Sequence, residues 1–184
     1  MRILCCYAEN TGRHAPGLYP ETREALEQAK RPQDELTFLD VSNMDSAYAL
    51  SLIESWNGQS DLLVVEHDIV IRPEILDELD ACPSDWCVYP YEIATGLCDD
   101  GLGCTRFRAE LMADCPNVML RAAECLTDPN YSNKVVDDGV SVWNWVRMDT
   151  RVNQVLRQVY DLEPCVHDTP VRHLNPTQQP QVIA

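Results

Sequence analysis

Apolar residues fall along this chain in short blocks separated by polar turns. Four consecutive ones, Leu62-Leu63-Val64-Val65, predict a strand buried on both faces. That strand runs into Glu66-His67-Asp68, whose carboxylates lie two positions apart and so share one side if the chain stays extended. Upstream, Arg2 to Ala8 predicts a first strand and Leu36 to Leu39 a second. Between them Thr22 to Lys30 has a narrow helical face of Ala25, Leu26 and Ala29, with Pro20 as a start signal. Tyr48, Leu52, Ile53 and Trp56 predict a helix capped by Asp45 and ended by Asn57-Gly58.

Past Asp68 the apolar Ile69-Val70-Ile71 continues briefly, and Pro73 opens a helix that buries Ile75, Leu76 and Leu79. Trp86 to Pro90 and Leu102 to Phe107 predict strands, and Arg108 to Asp114 and Val118 to Leu126 predict helices. Asp137-Asp138-Gly139 reads as a turn, and Val140 to Val146 reads as strand or helix, with helix preferred. Val152, Val155, Leu156 and Val159 have helical spacing, with Asp149 or Thr150 available as the cap. Cys165 to His167 and Val171 to His173 are short strand-like pieces. The order β-α-β-α-β followed by mixed elements predicts an α/β sandwich whose first half is parallel.

Composition narrows the function. The chain has 184 residues, enough for one domain with a real core. Its net charge of −16 argues against a broad basic footprint on nucleic acid and favours a cation wherever a diphosphate must approach. Nine cysteines occur without a C-x-x-C pair, and no run of apolar residues reaches membrane-span length. A cytoplasmic protein with reduced thiols is expected. Cys82/Cys87 and Cys98/Cys104 are poorly spaced for a zinc knuckle, so these cysteines read as small buried hydrophobes.

The candidate chemistry gathers at strand exits, where open α/β sheets hold ligands. Glu66 and Asp68 suit a hard divalent cation, against the plainer reading of a strand entering a polar turn. Tyr7, Ala8, Glu9 and Arg13 lie at the end of the first strand. Gly101 and Gly103 permit close approach by a ligand or a neighbour, and Arg13 and Arg106 carry charge suited to phosphate. His67 sits between the two carboxylates and reads as packing, while His14 reads as surface. Trp143 and Trp145 are either core residues or stacking platforms.

From Leu62 to Asp68 the chain resembles the GT-A fold glycosyltransferases, with Glu66-His67-Asp68 in the place of their D-x-D motif. The strand 101–107, the acidic residue Asp149 near a late helix start, and the histidines of 167–173 extend the likeness in order. Compact versions of this kind resemble those of bacteriophages and actinobacteria. The resemblance implies a GT-A (Rossmann-like) three-layer sandwich with a mixed, mostly parallel central sheet. It implies one catalytic domain over residues 1–175, with a nucleotide-binding half at 1–68, an acceptor half at 69–175 and a loose tail at 176–184.

It also implies a nucleotide-sugar donor, UDP-linked for preference, and a divalent Mn²⁺ or Mg²⁺ held by Glu66, Asp68, His167 and His173. Tyr7, Ala8, Glu9, Arg13, Glu66, His67, Gly103 and Arg106 would line the donor. Asp149 would be the base, with Asp137 and Asp138 as rivals. The acceptor is open among modified DNA, a glycan and a protein. Two other readings stand beside this one. The first is a nucleotidyltransferase of similar fold, for which Asn10-Thr11-Gly12-Arg13 is a poor triphosphate loop. The second is a non-enzymatic acidic interaction protein of phage type, motivated by the net charge.

Overall fold

The computed structural model describes residues 1–9, 17–44, 46–93, 96–130, 132, 134–137, 140–143 and 145–174, with backbone alone at 134–137, 140–143 and 146. Arg13, His14, Asp45, Asp138 and the tail from 175 onward therefore lie outside the described residues.

Strand β1 (Arg2–Tyr7) leads to helix α1 (Pro20–Ala29), strand β2 (Glu35–Asp40), helix α2 (Ala47–Ser55) and strand β3 (Leu62–Val65). These are the predicted elements with ends moved by a residue or two. Pro20 occupies the first helical position, where its missing N–H costs nothing. Strand β4 (Ile69–Val70) and helix α3 (Ile75–Ala81) follow, then β5 (Trp86–Val88), β6 (Tyr91–Ile93), β7 (Gly96–Cys98) and β8 (Cys104–Phe107). Helices α4 (Ala109–Asp114) and α5 (Val118–Ala122) run into a 3₁₀ turn at Ala123–Thr127. Strands β9 (Lys134–Asp137) and β10 (Val140–Trp143), helix α6 (Val146–Tyr160), and strands β11 (Cys165–Val166) and β12 (Arg172–His173) complete the order.

Six strands form the central sheet in the order β11-β5-β8-β3-β1-β2. Pairings β1–β2, β1–β3 and β5–β11 are parallel, and β8 runs antiparallel to both β3 and β5. The sheet is therefore mixed and mostly parallel, as expected. Its alternating side chains feed two separate cores. Leu4, Cys6, Leu62, Val64, Trp86 and Phe107 pack with residues of α2, α5 and α6 on one face. Ile3, Cys5, Leu63, Val65, Cys87 and Cys104 pack with residues of α1 and α3 on the other. Helix layers on both faces make the three-layer sandwich, and the near-continuous burial of β3 follows from being covered twice.

Two local expectations are corrected. Residues 140–143 form a strand paired antiparallel with β9, Val140 opposite Asp137, and not a helix. Alternating β-branched residues separated by a short polar connection favour a hairpin over a helix there. Helix α6 begins at Val146 with Trp145 at the cap position, so Asp149 and Thr150 lie inside the helix and neither caps it.

Candidate functional site

Strand β3 ends at Val65, and Glu66-His67-Asp68 leaves it as a tight turn closed by the Ile69 N–H donating to the Glu66 carbonyl at 3.2 Å. The turn overrides strand alternation. Asp68 meets His173 and Glu66 meets Asp149, while the two carboxylates remain near enough for the charge of Asp68 to act on Glu66.

Asp68 is almost wholly buried, and one of its oxygens, Oδ2, lies 3.1 Å from Nε2 of His173. The antiparallel pairing of His173 with Ile69 brings them together, and the Leu174 N–H donates to the Asp68 carbonyl at 2.9 Å. The other nitrogen of His173, Nδ1, sits 2.7 Å from the Glu92 carbonyl oxygen. A carbonyl accepts only, so Nδ1 carries a hydrogen and donates it. Nε2 then faces a carboxylate either with a second proton or with a bare lone pair. Burial works to lower the His173 pKa, but the hydrogen bond and charge of Asp68 outweigh it and hold the imidazole above its ordinary value. Burial pushes Asp68 up, and the hydrogen bond from His173 brings it below the usual carboxylate range. The second oxygen of Asp68, Oδ1, is buried without a hydrogen-bond partner. An orphaned carboxylate oxygen beside an imidazole nitrogen is a mixed O,N donor set that a divalent ion such as Mn²⁺ can take.

Glu66 turns toward α6, where its side chain hydrogen-bonds Asp149. Asp149 also accepts from the Tyr48 hydroxyl at 2.8 Å, and the Tyr48 ring stacks on Trp145 at 4.6 Å. Burial, opposed by the hydrogen bonds from Tyr48 and Glu66, raises the Asp149 carboxyl to about 7. Burial first, then the charges of Asp149 and Asp68, pushes Glu66 well up as well. Burial thus pushes both carboxyls toward their protonated forms. Tyr48 belongs to the site, and nothing in its sequence context marks it. It is the apolar-face residue that predicts α2, with a hydroxyl that reaches a helix about a hundred positions away in sequence.

The remaining predicted residues are placed as follows. Tyr7, Ala8 and Glu9 lie at the end of β1, with Ala8 buried and Glu9 exposed, its N–H donating to Ser42 Oγ at 2.9 Å. The His67 ring lies 6.2 Å from Tyr19 and 6.0 Å from Trp145, its Nδ1 buried and unpartnered. The Gly103 carbonyl accepts from the Glu66 N–H at 2.9 Å. A Cβ at Gly101 or Gly103 would collide with the Tyr91 side chain, so the close neighbour that these glycines admit is a tyrosine. Backbone Asp137 lies on β9, away from the turn in sequence and outside the side-chain description.

Arg106 and His167 are not brought to the carboxylates. Arg106 is fully buried, its Nη2 donating to the carbonyls of Leu79 and Cys82 at the end of α3, so it has no face to offer a phosphate. His167 stacks on Tyr89 at 4.2 Å and lies with Cys82, Cys87 and Cys165. In β11 alternate side chains share a side, and His167 shares that of Cys165, which pairs with Cys87 in the sheet.

Among the described residues no helix is long and apolar enough to cross a membrane. No family model matches the sequence, and no curated protein matches it. Among solved structures, A197 from STIV is 15% identical over 61% of this chain and 68% of its own, with a TM-score of 0.42. A glycosyltransferase involved in the glycosylation of the major capsid of PBCV-1 is 12% identical over 94% of this chain and 92% of its own, with a TM-score of 0.44.

Proposed function

We propose that this chain is a metal-dependent GT-A glycosyltransferase that moves a sugar from a nucleotide-sugar donor, UDP-linked for preference, to an acceptor hydroxyl. The observation that carries the reading is the Asp68–His173 pair, in which a carbonyl on Nδ1 aims Nε2 at a carboxylate that has a second, unpartnered oxygen. Replacing the Nε2 proton by a divalent ion turns this pair into a ligand set for a leaving diphosphate. Such an ion stabilises negative charge as it develops on the departing oxygen.

Glu66 stands between this pair and Asp149, close enough to both for their charges to act on it. On this reading it either joins the metal or holds the donor ribose. Asp149 takes the acceptor proton. A base whose pKa lies near neutrality is matched to that task. Tyr48 orients the carboxylate through its 2.8 Å hydrogen bond. Tyr7, Ala8, Glu9 and His67 surround the donor at the ends of β1 and β3.

The test is calorimetric titration of UDP with and without Mn²⁺, followed by a screen of UDP-sugars for Mn²⁺-dependent hydrolysis or transfer. Mn²⁺-dependent UDP binding that Asp68→Asn removes supports the proposal. Equal UDP affinity with Mn²⁺ and with a chelator overturns it.

A further inference from the structure

Four metal-ligating side chains meet in a cluster that includes none of the carboxylates proposed above for glycosyl transfer. One ligand atom from each of Cys82, Cys87, Cys165 and His167 lies within 4.8 Å of all the others. Cys82 leaves the end of α3, Cys87 sits in β5, and the parallel register sets Cys165 directly beside Cys87. His167 follows two positions on, its N–H donating to the Val88 carbonyl at 2.9 Å. We propose that these four residues form a tetrahedral Cys₃His zinc site that fastens the edge strand β11 to the end of α3.

The spacing fits the chemistry. With zinc–sulfur bonds of about 2.3 Å, the edge of a tetrahedron between two sulfurs is about 3.8 Å. The Cys82 and Cys165 sulfurs stand 3.7 Å apart, and those of Cys82 and Cys87 stand 3.1 Å apart. Both separations are too long for a disulfide bond of about 2.05 Å. An ion between them asks the second pair to open by roughly 0.7 Å, within the rotamer freedom of a cysteine. Cys82 and Cys87 are four residues apart in the intervening chain, at the wide end of the ligand spacing zinc sites use. The Nε2 atom of His167 is buried and has no hydrogen-bond partner.

Charge supplies an independent argument. Arg106 is fully buried, and its Nη2 lies 3.0 Å from the Cys87 sulfur. Its other contacts are the carbonyls of Leu79 and Cys82, and its Nε and Nη1 are unpartnered. No carboxylate among the described residues pairs with it. A guanidinium left alone in a protein interior is costly unless an anion neutralises it. Zinc bound by three thiolates and a neutral imidazole carries roughly one excess negative charge, and Cys87 presents it to Arg106. The arginine then acts as an outer partner to a metal-bound sulfur. Strand β11 has only two residues, so few backbone hydrogen bonds hold it at the sheet edge. A zinc clamp on it also steadies the segment that delivers His173.

The proposal is tested on the full chain purified under reducing conditions. Elemental analysis should find about one zinc per chain. Cobalt exchanged into the same protein should give a sulfur-to-metal charge-transfer band and the intense visible bands of a tetrahedral centre. Cys165→Ala should lose the zinc, while Cys98→Ser and Asp68→Asn keep it, which separates this site from the carboxylate site. A chelator strong enough to strip the zinc should lower the melting temperature of the wild-type chain. Folded wild-type protein that is free of zinc and takes up cobalt without a sulfur charge-transfer band overturns the proposal, whatever the variants do.

Discussion

His173 points Nε2 at Asp68 Oδ2 across 3.1 Å and donates its Nδ1–H to the Glu92 carbonyl oxygen across 2.7 Å. The carbonyl fixes which nitrogen is free, and the neighbouring β12–β4 register fixes where it points. Without metal, and against the burial of both, Asp68 holds the imidazole above its ordinary pKa and the imidazole holds Asp68 below its own. On the proposed reading a divalent ion would use the same two atoms as ligands.

Asp68→Asn is expected to abolish Mn²⁺-dependent UDP binding while leaving the circular dichroism spectrum unchanged. The amide keeps the shape but loses the charge that offsets the cation. His173→Gln should weaken Mn²⁺ binding by about 10- to 100-fold, since removing a ligand costs at least as much as removing an outer-shell partner. Calorimetry reads both values. Unchanged Mn²⁺ affinity in either variant removes that residue from the site.

The raised carboxyls and His173 should contribute less stability to the apo protein as pH rises from about 4 through neutrality. Burial raises Glu66 and brings Asp149 to about 7, so the folded chain keeps protons that unfolded carboxyls release near their ordinary values. His173, raised by Asp68 against its burial, adds stability that is complete below about 6.5 and fades as pH climbs through its folded pKa. Asp68, held low by His173 against its burial, works oppositely and gives up its contribution only in stronger acid. The wild-type melting temperature, taken relative to that of Asp149→Asn, should therefore fall between pH 5 and about pH 8 without metal, a difference that cancels the opposite contributions of His67 and His167, which burial holds low. Mn²⁺ should restore it more at the higher pH, because binding displaces protons. A difference that rises over that interval in the apo protein contradicts the assignment.

Asp149→Asn is expected to leave donor binding within about twofold and to lower transfer by at least 100-fold. In the wild-type chain, transfer should climb about tenfold per pH unit below about 7 and level off above it, as the Asp149 carboxyl loses its proton. Tyr48→Phe should shift that profile, because it removes one of the hydrogen bonds holding Asp149 down. Normal transfer by Asp149→Asn would place the base elsewhere.

Much of this fold is written locally in the chain. The apolar blocks of β1, β2 and β3 and the proline starts of α1 and α3 mark their elements because burial and capping act over a few residues. The site is legible only in part. Glu66, Asp68, Asp149 and His173 are conspicuous as residue types, yet their pairing depends on a turn that interrupts strand alternation after Val65. The Glu92 carbonyl and the Tyr48 hydroxyl carry no residue-type signal of their role. The cysteine cluster is hidden for another reason. Its two halves, Cys82/Cys87 and Cys165/His167, lie far apart in the chain and meet only because β11 pairs with β5.

Gly103 shows a local rule with two readings, ligand or neighbour, that only the packing separates. A glycine in a strand signals close approach, and here the approaching group is the Tyr91 ring, which a Cβ at 103 would strike. That ring is buried and stands edge-on to His173 at 5.4 Å. Gly103→Ala must therefore push Tyr91 toward the imidazole that faces Asp68. Overpacking of this kind costs about 1–3 kcal/mol, and urea unfolding should record it. Mn²⁺ affinity should fall in the same variant, since the His173 ring moves with Tyr91. Adding Tyr91→Ala opens the space the new methyl needs. The double variant should thus be more stable than the sum of the two single losses predicts, by about 1 kcal/mol or more. Strict additivity of the two substitutions would mean that the tyrosine does not occupy the space above Gly103.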